Sequence, residues 1–225
     1  MIRRVLTFDV VRGKTSQEAQ ALPGKVLALG NSLIKLYVIE GVLPADLRYG
    51  VLPASLKYLE GTVSERMMHD ARSLALYFGF RDDETVARFG PHIIHQDWAK
   101  DFYRGLRTNH TFFQFESPES HSNLGVERLL TFNLAEGTPA HQVQEFRTSL
   151  QKLRLNPDVE YANLERLAGT VPPALKDTAR YHGIVLRFRD IGAASRFDLD
   201  SRQFDLTEKL YAPLYKDQTF FQNAR

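Results

Sequence analysis

Two histidines three positions apart, His92 and His95, are the residues of this 225-residue chain best suited to acid–base chemistry. An imidazole ring titrates near neutral pH, so His95 is a candidate base for removing an acidic proton from carbon. The plainer interpretation is a structural histidine bonded to backbone. Both rings could reach one metal ion if the segment were helical, but two ligands do not make a site. If the protein is an enzyme, we predict catalysis at His92 and His95, with no metal and no cofactor.

Arg4 and Arg128 could contact a ligand, because each lies in phase with the apolar residues of a strand-like segment. A guanidinium in that position can hold an anionic group. The alternative is that each arginine lies at the end of its strand, extends to water and pairs with an acid. Trp98 and Phe102, at helical spacing, suit either a ligand pocket or an ordinary core.

A gap-free internal repeat carries these residues. Residues 71–114 match residues 179–222 at a constant offset of 108, and residues 2–10 match residues 126–134 at an offset of 124. Both copies contain the runs Phe-Arg-Asp, Arg-Phe and Thr-Phe-Phe-Gln. A repeat of this length indicates two copies of one small fold.

Each copy predicts the order β-α-β-β-α-β, which is the ferredoxin-like unit with an antiparallel four-stranded sheet and helices on one face. The other face of such a sheet is left bare, and two copies can bury those faces against each other. The predicted fold class is therefore α+β, with two ferredoxin-like repeats packed sheet to sheet as an intramolecular α+β barrel. The predicted domains are repeat one at 1–116, a polar linker at 117–125 and repeat two at 126–225.

The predicted strands lie at 2–10, Leu36–Val42, 74–80 and 110–116 in repeat one, and at 126–134, Val159–Leu167, 182–188 and 218–223 in repeat two. Asp82 and Asp190 follow the third strands and predict turns or helix caps. Repeat one has 16 more residues than repeat two between its first and third strands (124 minus 108). We assign this surplus to an insertion at 43–70.

Composition limits the class of protein. With 29 Lys and Arg against 27 Asp and Glu, the formal net charge is +2, so no nucleic-acid partner is expected. The chain has no cysteine, which excludes disulfides and thiolate chemistry and favours a reducing compartment. No apolar run is long enough to span a membrane, and no targeting segment is visible. We predict a soluble protein of the cytoplasm or of an organelle interior.

Two motifs resemble those of the stress-responsive A/B barrel domains, a family of the dimeric α+β barrel superfamily. The segment from Tyr181 to Phe188 resembles the family's third strand, and His92–His95 resembles its His-x-x-His element. Some plants and algae carry tandem versions of this domain, similar to the duplication here. Some members are polyketide cyclases that drive an intramolecular aldol condensation, whereas others are stress proteins without an established activity.

The resemblance places the four site positions of those cyclases on this sequence. They fall on Arg4, Leu74, His95 and Phe89 in repeat one, and on Arg128, His182, Gln203 and Phe197 in repeat two. Neither repeat holds the complete set of three histidines and a tyrosine. With Trp98 added from the helical stripe, the ligand-binding candidates are Arg4, Trp98, Phe89, Arg128 and His182.

These residues support two functional hypotheses. The first is a small-molecule-binding barrel with a small hydrophobic or polyketide-like ligand and a cofactor-independent, cyclase- or lyase-like activity. The second is a non-catalytic structural or assembly protein that uses the barrel as a protein-interaction scaffold, with a protein partner bound through the 43–70 insertion.

Overall fold

The structure is a computed structural model that describes residues 1–10, 51–60, 68–89, 107–117, 125–199 and 214–224, with 91, 96 and 100 as isolated positions. Three site candidates, His92, His95 and Trp98, lie outside the described residues. The chain divides into two compact units. Unit 1 contains residues 1–57, 73–119 and 168–179, and unit 2 contains residues 58–72, 120–167 and 180–225. Each unit is thus built mainly from one repeat and includes a short segment of the other.

Repeat one forms a four-stranded sheet. Its described elements are β1 (Ile2–Val10), β2 (Val51–Tyr58), β3 (Leu74–Phe80), α1 (Asp83–Phe89) and β4 (Arg107–Glu116). The strand order is β2-β3-β1-β4, and β1 pairs antiparallel with both β3 and β4.

Repeat two forms a sheet of the same topology. Its described elements are β5 (Val126–Leu134), α2 (Ala140–Lys152), β6 (Val159–Arg166), β7 (His182–Phe188), α3 (Ile191–Asp198) and β8 (Tyr215–Ala224). The strand order is β6-β7-β5-β8. Two antiparallel sheets with this order confirm the predicted α+β class and the tandem ferredoxin-like repeat. The predicted packing of one sheet on the other stays a prediction.

The second strand of repeat one corrects the sequence analysis. Among the described residues it is Val51–Tyr58, which lies 108 residues before β6, whereas the predicted strand Leu36–Val42 lies outside the described residues. The insertion predicted at 43–70 therefore does not include residues 51–58, because these residues form β2 at an offset of 108 from β6. The 16 surplus residues fall between β1 and β2 instead. Pro53 concealed the strand, but β2 lies at the edge of its sheet, where proline is tolerated.

Even the irregular features of the two sheets repeat. Each first strand has a register shift near its end, and each last strand has one residue in the left-handed region, Asn109 with φ 48° and Asp217 with φ 55°. Asn109 Nδ2 lies 3.4 Å from Asp9 Oδ2, and Asn133 Nδ2 lies 3.4 Å from Asp217 Oδ2. Because the backbones correspond at this level, a chemical difference between equivalent positions comes from the side chains.

Aspartates that follow the third strands start the helices, as predicted. Asp190 Oδ1 accepts a hydrogen bond from Ala193 N at 2.7 Å, and Asp82 Oδ1 accepts one from Thr85 N at 2.8 Å. Each bond satisfies an N–H group that has no partner within the first helical turn. Because the equivalent aspartates cap both helices, α1 and α3 begin at matching places.

The apolar core of unit 2 lies between its sheet and helices α2 and α3. Helix α2 buries Val143, Phe146 and Leu150, while α3 buries Phe197, whose ring lies 5.1 Å from that of Phe188. In unit 1 the corresponding aromatic cluster consists of the buried side chains Phe8, Phe78, Phe80, Phe89 and Phe112. Among the described residues, no helix is long and apolar enough to cross a membrane.

The segment that each unit takes from the other repeat contacts the last strand of that unit's sheet. In unit 2, Glu60 N donates to Gln222 O at 3.0 Å, and in unit 1, Ala168 N donates to Gln114 O at 2.9 Å. Parallel bridges join Ala71 to Phe220 and Ala179 to Phe112. These bonds use backbone groups of β4 and β8 that an edge strand would otherwise leave open.

We predict that Gly169→Ala destabilises the protein more than Gly137→Ala does. Both glycines have positive φ, +71° and +79°, so an alanine costs each about 1–2 kcal/mol for its backbone conformation. A Cβ at Gly169 would also lie 2.2 Å from Asp83 Oδ1 and 2.8 Å from Gln114 Nε2, whereas a Cβ at Gly137 meets nothing within 4 Å. This overpacking adds about 1 kcal/mol or more, which urea unfolding of both variants measures. Equal losses would contradict the close docking of residues 168–179.

Candidate functional site

Arg4 is a cation enclosed by aromatic rings in unit 1. Its side chain is 1% exposed, and its guanidinium carbon lies 5.0 Å from the ring centre of Phe80 and 5.2 Å from that of Phe112. Nε donates to Gln114 Oε1 at 2.9 Å. Nη2 is buried and has no hydrogen-bond partner among the described residues. One side of the guanidinium is therefore held, and the other retains an unused donor.

The charge of Arg4 lacks a carboxylate in contact with it in the part of the chain that the structure describes. Burial lowers the pKa of Arg4 to about 10, and the carboxylate of Asp83 acts in the opposite direction. Asp83 makes its own bonds elsewhere, since its carboxylate accepts from Thr170 N at 2.7 Å and lies 3.3 Å from Thr170 Oγ1. Arg4 thus combines a desolvated charge with an unsatisfied donor, a costly arrangement for a purely structural residue.

Gln114 connects Arg4 to the segment that unit 1 takes from repeat two. Its Oε1 accepts from Arg4, and its Nε2 donates to Ala168 O at 2.6 Å. The strand register places Gln114 directly opposite Arg4, so the bond follows from the pairing of β1 with β4. The glutamine therefore fixes the guanidinium from the side of the sheet.

Arg128, the equivalent of Arg4 in repeat two, is fully paired. Its Nε and Nη2 donate to Gln222 Oε1 at 2.8 and 2.7 Å. Its Nη1 and Nη2 donate to the two oxygens of Asp198 at 2.5 and 2.9 Å, a bidentate ion pair at the end of α3. Arg128 is 4% exposed, so neither arginine extends to water as the alternative interpretation required.

Asp198 makes the difference between the two arginines. The sequence position 108 residues before it is Gly90, which carries no side chain that could take its place. The Arg–Gln pair is the same in both units, and only the terminal carboxylate differs. In unit 2 the guanidinium therefore pairs with an internal anion, whereas in unit 1 the equivalent donor has no partner among the described residues.

The remaining described candidates occupy two places. Phe89 is 1% exposed and packs on Phe78 and Phe80, at ring-centre distances of 5.4 and 5.2 Å, so it belongs to the aromatic shell around Arg4. His182 lies in unit 2, where its ring stacks on Phe132 at 5.8 Å. The register partner of Arg128 on β7 is Leu186, four residues after His182. Arg128 and His182 are therefore not neighbours in the sheet.

Burial, followed by the charges of Arg166 and Arg147, lowers the pKa of His182 from its ordinary 6.5. The Nδ1 atom of this histidine is buried without a hydrogen-bond partner among the described residues. Within the same residues, no group of three or more His, Cys, Asp or Glu side chains could hold a metal ion. The candidates His92, His95 and Trp98 lie outside that part of the chain, and their roles stay predictions.

Sequence reasoning missed the residues that distinguish the two arginines. Gln114 and Gln222 were noted only as part of a repeated Thr-Phe-Phe-Gln framework. In both copies the glutamine lies two residues after a phenylalanine, and therefore on the same face of the strand. A glutamine on an apolar face was a usable signal for a buried polar partner. Asp198 gave no such signal, because its equivalent in repeat one is not an acid and only the end of α3 brings it to Arg128.

Solved structures of similar fold cover almost the whole chain. An anthrone oxidase-like protein aligns with a TM-score of 0.61 and 10% identity, over 99% of this chain and 90% of that one. A putative chlorite dismutase (TM-score 0.55, 11% identity, 99% and 93% covered) and a putative monooxygenase from Fusobacterium nucleatum (0.52, 9%, 100% and 92%) are also similar. At these identities the likeness shows the fold alone.

The sequence comparisons give no match. No protein-family model matches the chain, and no curated protein is similar to it. Membership of the dimeric α+β barrel superfamily, of the stress-responsive A/B barrel family within it and of its tandem form stays a prediction.

We predict that Asp198→Asn destabilises the protein strongly and Asp83→Asn only weakly. Removing the Asp198 charge leaves Arg128 buried without its counter-ion, a change that typically costs about 3–5 kcal/mol. Asp83 makes no ion pair with Arg4, so its neutralisation should cost less than about 1 kcal/mol. Unfolding of the two variants in guanidinium chloride measures both free-energy changes. Equal destabilisation would mean that Asp83 already serves as the counter-ion of Arg4.

We predict that His182 makes the protein less stable as the pH falls from 7 to 5. Its pKa is lower in the folded state than in the unfolded state, so the unfolded state binds more protons just below pH 6.5 and gains stability there. In His182→Gln, the free energy of unfolding should therefore change less steeply over this range. Urea unfolding at a series of pH values gives the two slopes, and identical slopes would refute the shift.

Proposed function

We propose that this protein binds a small anionic molecule in repeat one, with Arg4 as the residue that contacts the anionic group. The observation that carries the proposal is a difference between the two arginines. Arg4 Nη2 is buried without a hydrogen-bond partner among the described residues, whereas Arg128 Nη2 donates to Asp198. A carboxylate or similar oxyanion on the ligand would accept a hydrogen bond from Arg4 and balance its charge, as Asp198 does for Arg128.

The energetics of burial support an external anion. A desolvated guanidinium without a carboxylate in contact destabilises the folded chain, because burial removes water and Asp83 compensates the charge only in part. The sheet alone does not require this charge, since the Arg–Gln pair could be replaced by apolar side chains of similar volume. A ligand that neutralises Arg4 would recover the lost stabilisation as binding energy.

The surroundings of Arg4 suit a ligand that is flat and apolar apart from its anionic group. Phe80 and Phe112 lie against the guanidinium, and Phe78 and Phe89 extend the aromatic surface behind Phe80. Aromatic walls with one fixed polar group are typical of small-molecule sites. The small hydrophobic or polyketide-like ligand inferred from the sequence has this chemistry when it carries a carboxylate or an enolate.

A cyclase-like reaction is the catalytic extension of the same proposal. Removing a proton next to a carbonyl group creates an enolate, and a guanidinium fixed beside the enolate oxygen would stabilise it. The base in this scheme is His95. A His95→Ala variant that still binds the ligand would separate the binding function from catalysis.

We predict that benzoate binds to the wild-type protein and to Arg128→Met, but not to Arg4→Met. Benzoate supplies a ring and a carboxylate, and benzamide is the neutral control of nearly the same shape. Isothermal titration calorimetry should detect binding of benzoate and little binding of benzamide, because only benzoate has a carboxylate that can pair with Arg4. Equal binding of the two compounds, or undiminished benzoate binding by Arg4→Met, would contradict the proposal.

Stability provides the matched control for these two variants. Arg4→Met removes an uncompensated charge but leaves the buried Gln114 Oε1 without its donor, so it should lower the melting temperature less than Arg128→Met does. Arg128→Met leaves Asp198 without its partner and should lower the melting temperature. If both variants lose stability equally, Arg4 has a structural role equivalent to that of Arg128, and the proposal fails even if the benzoate result is ambiguous.

A further inference from the structure

Unit 2 contains a second set of basic side chains, at the end of its sheet where β7 begins. The strand register places Phe132 of β5, His182 of β7 and Arg166 of β6 side by side. The ring of His182 stacks on Phe132 with an angle of 23° between the planes, so its orientation is fixed. Helix α2 contributes Arg147, directly after the buried Phe146.

Two polar atoms of this set have no partner. His182 Nδ1 and Arg147 Nε are each buried and lack a hydrogen bond to any described residue. Buried polar groups in folded proteins are nearly always bonded, so two such atoms in side chains that interact electrostatically require an explanation. An ion with several acceptor oxygens satisfies both atoms at once.

The two charges that shift the pKa of His182 are both positive. After burial, which is the largest cause, Arg166 on β6 and Arg147 on α2 lower this pKa, and no carboxylate of the described residues contributes. Phe132, the neighbour on β5, is uncharged. The histidine therefore lies in a positive environment that disfavours its own protonation and favours an anion.

We propose that His182, Arg147 and Arg166 form a binding site for a small oxyanion, such as a phosphate or carboxylate group. The oxyanion accepts hydrogen bonds from His182 Nδ1 and Arg147 Nε, and Arg166, which is exposed at the rim, adds charge. This site is independent of Arg4, because it uses different residues in the other unit. At the position equivalent to His182, repeat one has Leu74, so only unit 2 can form it.

The test follows the ring signals of His182 by NMR while inorganic phosphate, or separately acetate, is added to the full chain. A His182→Gln variant assigns the signals. Bound oxyanion should shift them and raise the pKa of His182, because an adjacent negative charge favours the protonated ring. Response to both ions identifies a general oxyanion site, and response to phosphate alone identifies a phosphate site. No response to either ion would overturn the proposal.

Two charge-removing substitutions on the same helix provide the control. Arg147→Gln should weaken phosphate binding at least about tenfold, because it removes a charged donor worth roughly 1.5–3 kcal/mol. Lys152→Gln removes a charge from the exposed end of α2 and should leave the affinity within about twofold. Equal effects of the two would indicate nonspecific attraction, and the site would be rejected. Arg4→Met should retain phosphate binding here, which separates this result from the benzoate experiment.

Discussion

The need to satisfy a buried guanidinium in the first strand of each repeat is the constraint that organises the polar contacts of each unit. The Nε of this guanidinium requires an acceptor, and a glutamine side chain of the last strand supplies it. The NH2 group of that glutamine then donates to a backbone carbonyl in the segment that comes from the other repeat. The two series are Arg4–Gln114–Ala168 and Arg128–Gln222–Glu60. One polar chain thus connects the sheet interior, the edge strand and the exchanged segment in each unit.

The two copies share this chain but differ at its open end. Asp198 completes the pairing of Arg128, while Arg4 keeps a buried donor that no residue in the described part of the chain accepts. Unit 2 has a polar side chain at a different position, because His182 is the equivalent of Leu74 in repeat one. Duplication therefore preserved the backbone and its irregularities, and side-chain replacement made each copy chemically distinct. This is the reason that each candidate site belongs to one unit alone.

The sequence predicted the fold where its signals were local. Alternation of apolar residues identified β3 and β7, the short match identified β1 and β5, and the aspartates after the third strands identified two helix starts. The second strand of repeat one was not predicted at 51–58, because a proline such as Pro53 usually argues against a strand, although an edge strand accepts it. The burial of both arginines was also underestimated, since composition favours exposed arginines and only the opposing glutamines make burial tolerable.

The sequence by itself determined that the chain holds two ferredoxin-like copies, because strand periodicity and a constant offset are properties of the residue order. It also identified the paired arginines as candidates. Only the tertiary structure decided which of them is neutralised. Asp198 is 70 residues from Arg128, and their contact depends on where α3 ends relative to β5. Likewise, the electrostatic effect of Arg147 on His182 depends on how α2 packs on the sheet, which sequence spacing does not determine.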